Sequence, residues 1–166
     1  MRDVFRGKKD VKIDAKGRMS FPASFRRALE ANHPDREEGE NATMFIAHSD
    51  NQAFLTAYTF AGMEVLSARI DEMQPGSIER QALEEYLFVN IEEVTLDDNG
   101  RFVLPKRLRD LVGLTDMAVF AGYRDSFRIY SPEAPSAAVS VLSQLMANQP
   151  VNTSPLTLLP HTGPTQ

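Results

Sequence analysis

The chain of 166 residues contains no cysteine and no tryptophan. Without a thiol it can build no disulfide, no thiolate metal site and no cysteine nucleophile, a composition suited to a reducing cytosol. Histidine is nearly as scarce, with three in all: His33 in a polar stretch, His48 at the end of an apolar run and His161 near the C-terminus. None stands at the spacing of a metal site or a catalytic triad. A glycine-rich phosphate loop is also missing, and the acidic pairs Glu84-Glu85 and Glu92-Glu93 read as solvated faces rather than catalytic carboxylates. The expectation is therefore no catalytic residue, no metal, no cofactor and no small-molecule substrate. Long apolar runs are absent as well. No stretch approaches the roughly 18–20 residues of a membrane span, and the opening Met1-Arg2-Asp3-Val4-Phe5-Arg6 lacks the apolar core of a secretory signal. A soluble cytoplasmic protein without a membrane partner is expected.

What is present is a 42% hydrophobic share, enough for one ordinary domain or two small ones, and an uneven charge. The formal net charge is −5, yet residues 1–29 hold nine basic side chains (Arg2, Arg6, Lys8, Lys9, Lys12, Lys16, Arg18, Arg26, Arg27) against three acids (Asp3, Asp10, Asp14). That segment is +6, which leaves −11 for the rest. Phosphate neutralisation needs such a local excess of Lys and Arg, and an acidic remainder opposes indiscriminate sticking. A solvated basic arm with no partner is the alternative.

An internal repeat organises the chain. Val11-Lys12-Ile13-Asp14-Ala15-Lys16-Gly17-Arg18-Met19-Ser20-Phe21-Pro22 aligns with Val94-Thr95-Leu96-Asp97-Asp98-Asn99-Gly100-Arg101-Phe102-Val103-Leu104-Pro105, 83 positions on, and Arg26 continues the register onto Arg109. In each copy apolar residues alternate with polar ones on both sides of a turn, as in a hairpin with one buried face. Asn99-Gly100 is the stronger turn signal, because both residues tolerate positive φ; Lys16-Gly17 is the weaker. Pro22 and Pro105 suit the first position of a short helix, and Gly113 with Leu114 can close the second one. Each copy then shows two further strands, 43–47 with 53–57 and 117–121 with 127–130. The first copy holds ten more residues than the second, placed at 32–41 as a surface loop.

Between the copies, Phe60, Met63, Leu66, Ile70 and Met73 recur at helical spacing, and Ser77 caps a second helix with Ile78, Ala82, Leu83, Tyr86 and Leu87 on one face. The pair is expected to lie antiparallel. A single helix is expected over about 132–146, and beyond Ala147 a proline- and threonine-rich stretch without charge predicts a disordered tail. The domain reading is 1–59 and 91–131 as two half-domains, 60–90 as a connecting helical pair, 132–147 as a terminal helix and 148–166 as the tail. Four short strands cannot bury two sheet faces, so the halves must pack on each other or on neighbouring chains.

The doubled Asp-x-x-x-Arg element, with Phe5-Arg6-Gly7 and Phe127-Arg128-Ile129-Tyr130, resembles the MraZ family over about residues 1–145. One copy alone would resemble only the wider AbrB and MazE superfamily. The resemblance implies a mainly β, α+β fold of two swapped-hairpin, AbrB-like half-domains in a compact β-barrel-like unit. It also implies a ring-shaped homo-oligomer and a nucleoid-associated regulator, a repressor in the usual case, that binds double-stranded DNA at short direct repeats upstream of a division and cell-wall operon. The family motif falls on Asp14, Lys16, Gly17 and Arg18, and on Asp97, Gly100 and Arg101. Arg presents a fork of donors for guanine or phosphate, whereas Lys is a point charge. Arg18 is thus the expected reader, with Arg101 its counterpart and Arg6, Lys8, Lys9, Lys12 and Lys16 as positioning contacts. The first copy is expected to dominate, because Asn99 replaces Lys16 and acids flank the second turn. Two alternatives stand: ion pairs within each turn that only shape it, and an antitoxin-like or scaffold module that holds a protein through Leu156, Leu158 and Leu159 of the tail.

Overall fold

The computed structural model describes residues 3–160; Arg2 and His161, named above, lie outside the described residues. The first copy forms β1 (Lys8–Lys12), β2 (Arg18–Ser20), α1 (Ala23–Ala31), β3 (Thr43–Ala47) and β4 (Phe54–Tyr58). Next come α2 (Phe60–Asp71) and α3 (Ile78–Glu84), which runs into a π-helical turn, Glu85–Val89. The second copy forms β5 (Glu92–Thr95), β6 (Arg101–Val103), α4 (Lys106–Leu111), β7 (Met117–Gly122) and β8 (Ser126–Tyr130). This is the α+β class expected from the pattern.

Six strands make one antiparallel sheet in the order β1-β7-β8-β4-β3-β5, and β2 and β6 make a separate two-stranded ribbon. The order reads the same from either end once each strand is exchanged for its counterpart in the other copy. Each edge strand therefore pairs with a strand of the opposite copy, β1 with β7 and β5 with β3. The expected hairpins are swapped in this sense: the turns close locally, yet neither copy's first two strands ladder with each other. At the turn the chain leaves the sheet, and the departing segments β2 and β6 pair across the copies, Met19 opposite Phe102. Both sheet edges are thus tied together through the ribbon, which gives the barrel-like closure.

Between ribbon and sheet lies the core. Met19 and Phe102 point into it from the ribbon, and Leu55, Ala57, Phe120, Phe127 and Ile129 from one face of the sheet, all buried. Phe21 sits at its centre, with the rings of Phe25, Phe102, Phe120 and Phe127 at 6.4, 5.9, 6.0 and 5.6 Å in edge-on arrangements. Residues of α1 (Phe25, Ala28, Leu29) and Leu108 of α4 close the sides. The end of α4 is sealed as its glycine predicted: Gly113 N–H donates to the Asp110 carbonyl and Leu114 N–H to that of Arg109.

Elsewhere the structure departs from the sequence reading. Pro22 and Pro105 stand at the N-cap, one residue before their helices, with ψ of 136° and 138°, well outside the helical range. The terminal helix is broken into α5 (Ser136–Val139) and α6 (Leu142–Ala147), since Ser140 adopts an extended backbone as Val139 turns in to be buried. Of the face expected on α3, only Leu87 is buried; Ile78 is 81% exposed. In the stretch expected to be a disordered tail, residues 148–160 include a 3-10 turn, Pro155–Leu158, started by Ser154 Oγ accepting from Leu156 N–H. Residues 161–166 lie outside the described residues.

Because Phe21 touches four other rings, Phe21→Ala should lower unfolding free energy by about 3–5 kcal/mol. Leu158→Ala, at an exposed position, should change it by no more than about 0.5 kcal/mol. Denaturant unfolding of both variants checks this; equal losses would contradict the core described here.

Candidate nucleic-acid interface

Each corner between sheet and ribbon is built around one carboxylate. Asp14 Oδ1 accepts from the main-chain N–H groups of Lys16 and Arg18, both at 2.9 Å, and Asp97 Oδ1 accepts likewise from Asn99 and Arg101. Gly17 N–H donates to the Asp14 carbonyl and Asp14 N–H to that of Arg18, with the same pair of bonds at Asp97, Gly100 and Arg101. Only the glycines have positive φ, 79° and 74°, so the loop is a three-residue turn with a left-handed glycine. Asn99, read from the sequence as a second positive-φ residue, is not one; its N–H is captured by the aspartate instead.

The two corners are cross-braced. A side chain on Gly17 would collide with the Arg109 guanidinium, 2.8 Å away, and one on Gly100 with that of Arg26, also 2.8 Å. Arg109 donates from Nε to the Leu104 carbonyl, and Arg26 to Glu30. Each helix thus slides an arginine beneath the turn of the opposite copy. Sequence reasoning noted the Arg26–Arg109 register but gave it no role; the repeat itself was the available signal.

Past the corners, Arg18, Ser20, Arg101 and Val103 occupy the outward face of the ribbon, since Met19 and Phe102 fill the inward one. Arg18 and Arg101 line a single groove, with Lys12, Ser20, Asp116 and Met117. Lys12 and Ser20 continue into a second groove that holds Lys8 and Lys9. Lys16 is exposed within its turn. Arg6 precedes β1, beyond the left-handed Gly7, and lines neither of these two grooves.

Both arginines are also tied to their own turn. Arg18 Nε lies 2.8 Å from Asp14 Oδ2, whereas Arg101 Nε is 3.8 Å from Asp97 Oδ2. Arg18 keeps 41% of its side-chain surface exposed and Arg101 40%, so neither ion pair covers its arginine; Arg18 Nε is hydrogen-bonded to its carboxylate, whereas Arg101 Nε finds no hydrogen-bond partner. The Arg18 N–H, followed by its guanidinium, holds the Asp14 carboxyl below its ordinary value. The Arg101 N–H does the same for Asp97, to which the charge of Arg18 adds from the neighbouring strand. Among the described residues no three His, Asp or Glu side chains converge as metal ligands, and no helix is long and apolar enough to cross a membrane.

Depressed carboxyl values stabilise the folded form above the ordinary aspartate range, and this contribution is lost as pH falls through the depressed value. A variant carrying Asp14→Asn and Asp97→Asn should therefore be less stable than wild type near neutrality and lose less on acidification below about pH 4. Thermal unfolding midpoints across that range check it; parallel curves would show that the corners do not depend on charge.

Comparison with known proteins places the chain in a family. A family model described as "MraZ protein, putative antitoxin-like" matches residues 87–151. The chain is similar to the transcriptional regulator MraZ of Ruegeria pomeroyi, 40% identical over 129 residues, which cover 77% of each chain. It is similar to that of Ruegeria sp. (strain TM1040), 35% identical over 96% of each chain. A third relative, from Cereibacter sphaeroides, is 31% identical over 98% of this chain and 99% of its own. Since the alignments with these relatives span both copies of the repeat at 31–40% identity, the chain belongs to the MraZ family.

Proposed function

We propose that the chain is a sequence-specific DNA-binding transcriptional regulator, a repressor, that reads short direct repeats upstream of a division and cell-wall operon. The observation that carries this reading is the placement of Arg18 and Arg101 on the outward face of one two-stranded ribbon. The major groove of B-DNA is about 12 Å wide and admits such a ribbon. Arg18 supplies the base contact, its fork matching guanine O6 and N7, with Arg101 beside it from the other copy. Lys8, Lys9, Lys12 and Lys16 meet phosphates and set the register. The carboxylates of Asp14 and Asp97 do not approach phosphate; they hold the arginines in place. The relatives' name, transcriptional regulator, supports the reading. In this role the protein acts on the nucleoid in the cytoplasm.

The same reading includes a ring of identical copies. Ile78, Phe88 and Val89, 81%, 50% and 72% exposed on the connecting helical section, offer apolar surface for self-association. Several ribbons at fixed spacing would then bind direct repeats in step, where one ribbon alone binds weakly.

Fluorescence anisotropy with promoter DNA and a scrambled control tests the contact. Arg18→Ala should lose about 1–3 kcal/mol of specific affinity and most of the preference for promoter over control, while Lys12→Ala should weaken both DNAs alike and flatten the salt dependence by about one phosphate contact. No sequence preference by wild type even at low salt would overturn the assignment. A promoter fragment with several repeats should bind at least about tenfold more tightly than one with a single repeat; equal affinities would remove the ring from the mechanism.

A further inference from the structure

We propose that a cleft on the outer face of the six-stranded sheet binds a small organic oxyanion, a carboxylate or a phosphate ester, through Arg128. This face is opposite the ribbon. Phe54, Thr56 and Tyr58 of β4 lie beside Tyr130, Arg128 and Ser126 of β8, and alternation turns this set away from the buried Leu55, Ala57, Phe127 and Ile129. The site is independent of the DNA-binding reading.

Arg128 is held between aromatic side chains. Its guanidinium carbon lies 4.0 Å from the centre of the Phe54 ring and 4.1 Å from that of Tyr123, so two rings pack against it. One terminal nitrogen, Nη1, donates to the Val139 carbonyl at 3.3 Å. No carboxylate among the described residues forms an ion pair with it, and its described polar contact is that one carbonyl. A guanidinium has five N–H donors, and a half-buried cation gains most from an anionic acceptor in its plane. The two rings and the Val139 carbonyl restrain the group before any ligand arrives.

The walls match such a ligand. The cleft has a volume of about 480 Å³, within the range of small-molecule sites, and holds no acidic side chain. Thr56, Ser126 and Tyr86 bring hydroxyls to it, and Tyr58 shares a 3.4 Å contact with Tyr86. Burial raises the Tyr58 hydroxyl well above its ordinary value, which keeps it a proton donor at neutral pH. The side-chain oxygen of Gln52, also in the wall, is buried without a hydrogen-bond partner. An acceptor left in this way calls for a donor, so the ligand carries a hydroxyl or N–H close to its anionic group.

The composition supplies the readout. The chain has no tryptophan and four tyrosines, of which Tyr58, Tyr86 and Tyr123 line the cleft. Intact protein would be titrated with inorganic phosphate and, separately, with malate, a hydroxy-dicarboxylate, at constant ionic strength, followed by tyrosine fluorescence and calorimetry. A saturable change is expected with at least one probe, and which one saturates assigns the anion as phosphate or carboxylate. Arg128→Gln should weaken binding at least about tenfold, as loss of a charge-assisted pair does, while Arg18→Ala leaves it unchanged. Should Arg128→Gln fail to fold, Arg128→Lys, which keeps the charge and removes the planar fork, should show the same direction with a smaller loss. No saturable change with either probe up to about 20 mM, or undiminished binding in the Arg128 variants, would overturn the proposal.

Discussion

At each of two corners a single aspartate accepts two main-chain N–H groups and turns the chain out of the sheet. Asp14 and Asp97 take the donors of the residues two and four positions on, and the glycine between them supplies the left-handed step. With its own N–H groups captured there, the backbone cannot fold back along the strand it has left. Ile13 and Leu96 instead donate to the carbonyls of Asp116 and Ala42, the residues just before the neighbouring strands β7 and β3. The freed segments β2 and β6 then satisfy each other. Ribbon pairing, edge closure and the aromatic core beneath all follow from those two carboxylates.

The corner that organises the fold also positions the charged surface. Arg18 and Arg101 directly follow the turn glycines, so the geometry that captures their N–H groups aims their side chains at the outer ribbon face. Their partner aspartates stay ionised because the same N–H donors favour the charged form. Arg109 and Arg26 lie against the turn glycines of the opposite copy, so a side chain there would have to push an arginine aside as well as adopt a positive φ. A basic ribbon built this way is stiff, which suits recognition that depends on a few placed donors.

The candidate site was legible in parts. Charge in residues 1–29 and the Asp-x-x-x-Arg repeat brought out Lys8, Lys9, Lys12 and Arg18, and the strands at 43–47 and 117–122 follow their apolar runs. Sequence could not show that Arg18 and Arg101, 83 positions apart, share one groove, or that Arg6 lines neither basic groove. Asn99 was misread because turn propensity speaks of an isolated dipeptide, while the nearby carboxylate decides where its N–H goes. The cleft around Arg128 was hidden for a similar reason: Phe127-Arg128-Ile129-Tyr130 reads only as a strand, and the rings that stack on Arg128 come from residues 54 and 123.

Sequence alone determined much of the local content of this protein: the apolar runs that form the core strands, where the chain turns and where positive charge gathers. These properties reside in side chains, and side chains are what a sequence spells out. Only the tertiary structure decided which strand lies beside which. Pairing is made by main-chain N–H and C=O groups that are the same in nearly every residue, so its choice rests on burial of the whole core at once. Exchange of partners between the two copies buries Met19, Phe21 and Phe102 together beneath one ribbon, and that ribbon carries the two arginines.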